Sequence, residues 1–108
     1  MTVKQLSEIK DLTPVIIPCP ERKISGGYVG DLLSWVMGRC TADSAWITIM
    51  SNTNVVAVAT LADVSCVIFA ENVTVDEEIK SIAEQKGINL ISTGLSAYEC
   101  AVMLGKLL

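Results

Sequence analysis

Short apolar runs alternate with helical patterns over the last two thirds of this chain, and this alternation constrains the fold more than any other feature. Apolar residues are consecutive in the runs, whereas between the runs they recur at the spacing of one helix face. Three strands and three helices are predicted in alternation, at 45–50, 55–61, 64–70, 75–86, 88–91 and 97–108. Such alternation over short connections is typical of a mostly parallel sheet with right-handed crossovers.

The first 43 residues carry weaker patterns of the same two kinds. In chain order, we predict a helix at 2–12, a short buried strand at 15–17, an extended segment at 22–29 and a helix at 32–37. We expect Pro14 to end the first helix, and Gly26-Gly27 predicts a bend or bulge in the extended segment.

Side chains that cap helices stand at the predicted helix starts. Capping boxes are predicted at Thr2 with Gln5, Thr74 with Glu77 and Ser96 with Glu99, and single caps at Asp31 and Asn54. Gly87 has the position of a glycine that ends a helix. Together with the strand pattern, these signals predict a single three-layer α/β domain over residues 1–108, in which helices flank a mostly parallel sheet.

Composition and charge narrow the classes of partner. The chain has 8 basic and 12 acidic residues, and its net charge of −4 opposes binding to nucleic acid. Its most apolar region, 55–70, is interrupted by Thr60, Asp63 and Ser65 and falls short of the roughly 18 apolar residues of a membrane span. No signal peptide is recognisable at the N-terminus. We therefore predict a cytoplasmic protein that binds neither nucleic acid nor membrane.

Residues that carry out catalysis are scarce. The chain has no histidine, so it lacks the commonest general base and the commonest metal ligand. No phosphate-binding loop motif is present, and the four cysteines are too far apart in sequence to form a Cys-x-x-Cys pair. These absences favour a protein that is not an enzyme and that uses neither a metal nor a cofactor. A minor enzyme that relies on carboxylates or on a thiol such as Cys40 remains an alternative.

Polar loops follow three of the predicted strands and indicate where a ligand would bind. In a parallel sheet, ligands bind beyond the carboxyl ends of the strands, and helix N-termini there supply donors that suit an anion or a nucleotide phosphate. The candidate ligand-binding residues are Asp31, Ser34, Asn52, Asn54, Thr93 and Ser96. Capping alone would also explain several of them.

Trp35 is a candidate interface residue. It lies in the predicted helix 32–37, where its ring either completes the core or anchors a partner, and the pattern leaves both alternatives open. Small domains that are rich in apolar residues often bury their excess apolar surface in a homodimer. We therefore expect a homodimer.

Several segments together resemble the DRTGG-domain family over nearly the whole chain. They are Ile24-Ser-Gly-Gly-Tyr-Val-Gly-Asp-Leu-Leu-Ser-Trp-Val-Met37, Ala45-Trp-Ile-Thr-Ile49, Asn54-Val-Val-Ala-Val-Ala-Thr-Leu61 and Gly87-Ile-Asn-Leu-Ile-Ser-Thr93. The resemblance implies an α/β domain similar to the N-terminal domain of HPr kinase/phosphorylase, whose kinase activity belongs to a separate phosphate-loop domain. It also implies a regulatory or dimerising module, of a kind found alone, in some phosphotransacetylases and in certain inorganic pyrophosphatases beside CBS domains. The five letters that name the family do not occur here as a contiguous motif.

Two functions follow from these observations. The first is a non-catalytic regulatory module that senses a small anionic or nucleotide ligand and dimerises. The second is an interaction subunit or scaffold that binds a partner enzyme or signalling protein and takes no small ligand.

Overall fold

The computed structural model describes residues 1–108, which fold into one five-stranded sheet between two layers of helices. The strands are β1 (Leu12–Ile16), β2 (Gly26–Val29), β3 (Ser44–Thr48), β4 (Cys66–Phe69) and β5 (Leu90–Thr93). The helices are α1 (Val3–Ser7), α2 (Leu33–Arg39), α3 (Thr53–Ala62), α4 (Glu77–Lys86) and α5 (Ala97–Leu107). None of these helices combines the length and the apolar character that crossing a bilayer requires.

The sheet has the strand order β1-β5-β4-β3-β2. The four strands β2 to β5 are parallel, and β1 runs antiparallel along β5 at one edge. The predicted α/β fold with a mostly parallel sheet is confirmed. The antiparallel edge strand begins at Leu12, three residues before the predicted strand 15–17, and includes Pro14.

Two separate apolar layers cover the faces of the sheet. Side chains that alternate along β3 and β4, such as Trp46 and Phe69, pack beneath α2, α3 and α4, whereas Ile47 and Ile68 pack beneath α1 and α5. Every residue of β3 and β4 is therefore buried. Burial on both faces explains why these two strands read as continuous apolar runs.

One buried amide joins the loop before β2 to the sheet. The side chain of Asn89 is 1% exposed. Its Nδ2 donates to the carbonyls of Cys19 and Ser65, both at 2.9 Å, and its Oδ1 accepts from the Cys19 N–H at 2.9 Å. Three hydrogen bonds satisfy this amide, so its burial does not leave a polar group unpaired.

An arginine joins the amino ends of β3 and β4. The Arg22 guanidinium donates to Asp43 Oδ1 at 3.0 Å and to Asp63 Oδ1 at 2.9 Å. Partial burial disfavours its charged form, but the hydrogen bonds to both carboxylates more than offset this, so the pKa of Arg22 is raised. Arg22 and the two aspartates are thus accounted for by stabilisation of the fold.

The capping predictions are partly right. Thr2 and Ser96 form capping boxes, and Gly87 ends α4 in the left-handed conformation. The cap of α4 is Asp76 and not Thr74, because Val73 and Val75 pack against the core and keep the chain extended until residue 76.

Three further local predictions are wrong. Asn52 caps α3 in place of Asn54, since Asn52 Oδ1 accepts from the Asn54 N–H at 3.0 Å. Asp31 does not cap α2, whose N-cap is Leu32 without a side-chain hydrogen bond. Gly26 and Gly27 do not form a bend; they lie in β2, in continuous register with β3.

Candidate functional site

The carboxyl ends of β2 to β5 lie together because these strands are parallel. We call the segments that follow them, 30–32, 49–52, 70–76 and 94–96, the carboxyl rim. Of the predicted ligand-binding residues, Asp31, Asn52 and Ser96 lie on this rim, and Thr93 is the last residue of β5, which leads into it. Ser34 and Asn54 lie in the first turns of α2 and α3, next to the rim.

The connections after β4 and β5 diverge to opposite faces of the sheet. Helix α4 follows β4 onto the face of α2 and α3, whereas α5 follows β5 onto the face of α1. A parallel sheet opens a crevice where two neighbouring strands send their connections to opposite faces. We call the place between the ends of β4 and β5, where the segments 70–76 and 94–96 begin, the β4–β5 crevice. It is the place on the carboxyl rim where the topology favours a ligand.

Backbone hydrogen bonds join the turn after β4 to the end of β5 and the segment that follows it. The Glu71 N–H donates to the Leu95 carbonyl at 2.8 Å, and the Asn72 N–H donates to the Thr93 carbonyl at 3.0 Å. Glu71 and Asn72 both have positive φ angles, 60° and 57°, in a tight turn after β4. Their side chains are exposed beside the crevice and make no hydrogen bond within the chain.

Threonines end β3 and β5 in the same way. The Thr48 hydroxyl donates to Asp31 Oδ1 at 2.8 Å and accepts from the Met50 N–H. The Thr93 hydroxyl donates to the Asp11 carbonyl at 2.7 Å and accepts from the Leu95 N–H. Each threonine therefore fixes the turn that follows its own strand and ties it to a neighbouring segment.

Asp31 is held by the neighbouring strand. Its Oδ1 accepts from the Thr48 hydroxyl and from the Ile49 N–H at 2.9 Å, so the carboxylate ties the end of β2 to the end of β3. The contacts that determine its role are with Thr48 and Ile49, which lie 17 and 18 positions later in the chain. This contact takes the place of the predicted helix cap.

The six predicted residues fall into two groups. Thr93 and Ser96 border the β4–β5 crevice, whereas the group at the ends of β2 and β3 comprises Asp31, Ser34, Asn52 and Asn54. Ser34 and Asn54 are exposed and form no side-chain hydrogen bond. Asn52 and Ser96 cap α3 and α5.

Sequence reasoning did not single out the two side chains that are free at the crevice, Glu71 and Asn72. The available signal was a carboxylate and an amide directly after the most continuously buried strand. Choosing between this loop and the others required knowledge of the face on which α5 lies.

The electrostatics of the carboxyl rim do not favour a simple anion. Its exposed carboxylates belong to Asp31, Glu71 and Asp76, with Glu99 close by at the start of α5. Hydrogen bonds to Ser96 lower the pKa of Glu99 and keep it charged. The caps Asn52, Asp76 and Ser96 also occupy backbone donors that an anion would use. Amide and hydroxyl groups are therefore the polar groups of the rim that suit an uncharged ligand group best.

The cysteines do not form a reactive centre. Burial raises the pKa of Cys66 to about 12 and that of Cys100 to about 11, and burial also raises the pKa of Cys40. These three thiols stay neutral near pH 7. The nucleophilic form of cysteine is the thiolate, so these thiols are not poised to react. Cys19 is exposed on the loop before β2. No three His, Cys, Asp or Glu side chains are placed to hold a metal ion.

Two shallow cavities lie away from the carboxyl rim. A groove of about 400 Å³ runs between β2 and α5, and a second of about 480 Å³ lies beside Ile9 and Tyr98 on the outer side of α5. The two tryptophans differ sharply, because Trp46 is fully buried and Trp35 is 53% exposed. Trp35 therefore does not complete the core, and Arg39 stacks on its ring at 3.8 Å.

Comparison with known proteins gives one family and one informative structure. The DRTGG domain family matches residues 30–107. The CBS and DRTGG domains of the regulatory region of Clostridium perfringens pyrophosphatase, complexed with the activator diadenosine tetraphosphate, have a similar fold with a TM-score of 0.66 and 17% identity. That alignment covers 86% of this chain and 40% of the other. A comparison with curated proteins gives no match.

The resemblance seen in the sequence is thus confirmed over most of the chain, from the strand end at Gly30 to the last turn of α5. The match includes β3, β4 and β5 with the turns that border the β4–β5 crevice. The chain belongs to the DRTGG domain family.

Proposed function

We propose that residues 1–108 form one regulatory domain that has no catalytic activity, associates as a homodimer and binds a nucleotide at the β4–β5 crevice. The observation that carries the proposal is the divergence of α4 and α5 at this crevice, in a chain of the DRTGG family. The similar domains from C. perfringens belong to the regulatory region of an enzyme and were complexed with a nucleotide activator. A partner enzyme is the natural target of such a domain.

The chemistry of the crevice favours the nucleoside part of a nucleotide over a free phosphate. The Glu71 carboxylate can accept hydrogen bonds from ribose hydroxyls or from an exocyclic amine, and the Asn72 amide can both donate and accept. A bare phosphate would approach the carboxylates of Glu71 and Asp76 and would gain few free backbone donors. We therefore expect nucleotides to bind and inorganic phosphate not to bind.

A thermal-shift series tests ligand sensing. The probes are AMP, ATP, diadenosine tetraphosphate, acetyl phosphate and inorganic phosphate, each at millimolar concentration. A ligand at ten times its Kd stabilises the folded chain by about 1.4 kcal/mol. For a domain of this size, this raises the Tm by about 6 to 11 °C.

Matched variants locate the binding site. We expect Asn72→Ala and Glu71→Gln to abolish the nucleotide shift and Asn54→Ala to retain it, because Asn54 is also exposed but lies in the first turn of α3. No shift with any probe would refute ligand sensing. A shift that all three variants retain would refute the crevice as the site.

A second candidate function is an interaction subunit that binds another protein and no small ligand. Exposed apolar side chains in and next to α2 favour it. The N-cap Leu32 is 58% exposed, and Trp35 and Met37 within the helix are 53% and 50% exposed. Large exposed apolar side chains are common at protein interaction sites. Specific binding to one enzyme, together with no thermal shift by any probe, would support this function over the first.

We also propose a cytoplasmic location, which the state of the thiols supports. Four free cysteines in a chain of this length fit a reducing compartment such as the cytoplasm. Labelling of the free thiols in intact cells, followed by mass spectrometry, tests this part of the proposal, and a disulfide in the protein isolated from cells would contradict it.

A further inference from the structure

The two edges of the sheet differ in how they are protected against pairing with another strand. At one edge, β1 carries Pro14 in its middle, has a register shift between Pro14 and Ile16, and contacts both α1 and α4. At the other edge, β2 has the sequence Gly-Gly-Tyr-Val and contains neither proline nor charge nor a bulge. Prolines, charges and bulges are the usual means of blocking an edge, so only β2 is open to a further strand.

The unpaired backbone groups of β2 can be identified from its hydrogen bonds to β3. Gly30, directly after β2, donates its N–H to the Ile47 carbonyl at 3.2 Å. Backbone groups alternate in direction along a strand, so Tyr28 also faces β3. Gly27 and Val29 then direct their N–H and C=O groups away from the sheet. These two residues are also exposed.

Apolar surface lies on both sides of this open edge. On one face, the groove of about 400 Å³ between β2 and α5 is lined by Val29, Leu104 and Leu108, among others. On the other face, α2 is the helix nearest this edge, and its residue Trp35 and its N-cap Leu32 have exposed side chains. A strand added beside β2 would extend the sheet between these two apolar surfaces.

The lack of charged side chains in the groove favours a second copy of this chain as the occupant. Each chain carries a net charge of −4, so two copies repel each other wherever acidic surfaces meet. No aspartate, glutamate, lysine or arginine lines the groove. Two copies can therefore meet at this surface without placing like charges against each other.

We infer that the homodimer forms by antiparallel pairing of the two β2 strands, which joins two sheets of five strands into one of ten. The inference deepens the dimerisation part of the proposed function and rests on it. In a register centred on Tyr28, Gly27 of each copy faces Val29 of the other, and the outward groups of both residues are satisfied.

Side-chain packing in this register is also self-complementary. Gly27 and Val29 face α5, because a Cβ on Gly27 would lie 2.8 Å from Leu104 Cδ2. Each half-exposed Val29 side chain therefore lies beside the glycine of the other copy, next to Leu104. An interface of standard size takes about 800 Å² from each partner, roughly one seventh of the 5588 Å² surface of this chain.

Sedimentation velocity of matched lysine variants tests the interface. Val29→Lys places a charge at the open edge. Leu61→Lys places a charge at another exposed apolar residue, at the end of α3. We expect Val29→Lys to weaken the dimer by more than about tenfold in Kd and Leu61→Lys to leave it unchanged. Circular dichroism checks that both variants are folded.

Hydrogen exchange on the unmodified chain gives an independent readout. In the dimer, the backbone amides of Gly27 and Val29 should exchange more slowly than in dilute monomer, whereas that of Asn54, in the first turn of α3, should not change. If the unmodified chain is monomeric at high concentration, the dimer of the proposed function is wrong as well. If the chain is a dimer but Val29→Lys dimerises normally, or both β2 amides stay unprotected, only the β2 interface is wrong.

Discussion

Replacement of Asn89 by alanine should be the most damaging change of one polar side chain in this protein. The Asn89 side chain is 1% exposed and forms three hydrogen bonds of 2.9 Å, two with Cys19 and one with Ser65. Each such bond contributes about 1 kcal/mol net, so Asn89→Ala should lower the free energy of unfolding by about 3 kcal/mol. Typical domains are stable by only about 5 to 15 kcal/mol, so this loss is large.

Urea unfolding followed by tryptophan fluorescence measures the loss. The background is Trp35→Phe, which leaves the buried Trp46 as the reporter. For an m-value of about 1 to 3 kcal/mol per molar urea, the midpoint should fall by about 1 to 3 M. All variants are compared at the same chain concentration, because association with a second copy adds to stability.

Two controls separate hydrogen bonding from side-chain volume. Asn89→Asp has nearly the same shape but loses both donated bonds, so it should cost at least as much as alanine. Asn54→Ala removes an exposed amide without a side-chain hydrogen bond and should change stability by less than about 0.5 kcal/mol. A loss below about 1 kcal/mol for Asn89→Ala would refute the reasoning.

Three further predictions concern the carboxyl rim and the thiols. Asp31→Ala should cost about 1 to 2 kcal/mol of stability in urea unfolding, and Asp31→Asn less than half of that, because asparagine retains an oxygen that accepts both hydrogen bonds; equal losses would contradict this. In the folded chain, iodoacetamide at about pH 8 should modify Cys19 alone. The folded pKa values of Cys66 and Cys100 are raised to about 12 and about 11, so their contribution to stability should be complete below the unfolded thiol pKa of about 8.5 and be lost as pH rises through the folded values. Urea midpoints that stay constant from about pH 8 to about pH 11 would contradict the expected loss.

The central part of the fold could be predicted because its determinants are local. Consecutive apolar residues such as those of β4 mark strands buried on both faces, and Ser96 and Gly87 mark helix ends through bonds to residues a few positions away. These signals are complete within a short window of sequence. The alternation after residue 44 therefore predicted the parallel arrangement correctly.

The errors arise where distant contacts determine the structure. Asp31 could have capped α2, but Thr48 and Ile49 compete for the same carboxylate, and their proximity depends on the pairing of β2 with β3. Likewise, both tryptophans lie in apolar surroundings in the sequence. Trp46 is buried because β3 is a central strand, whereas Trp35 lies on the outermost helix of its layer.

The candidate site could be predicted only as a rim. Parallel strands place their carboxyl ends together whatever the details, so the sequence predicted that the candidate residues gather at one end of the sheet. The crevice within that rim depends on α5 lying on the opposite face from α4. No short-range pattern encodes that choice, and Glu71 and Asn72 therefore did not stand out.

Nuclear magnetic resonance provides the most direct test of nucleotide recognition at the β4–β5 crevice. Amide spectra of the 108-residue chain are recorded while diadenosine tetraphosphate or AMP is added. We expect the largest shifts at Glu71, Asn72, Thr93 and Ser96, with little change at Asn54. Unchanged spectra for every nucleotide, or shifts confined to other parts of the chain, would contradict nucleotide binding at this site.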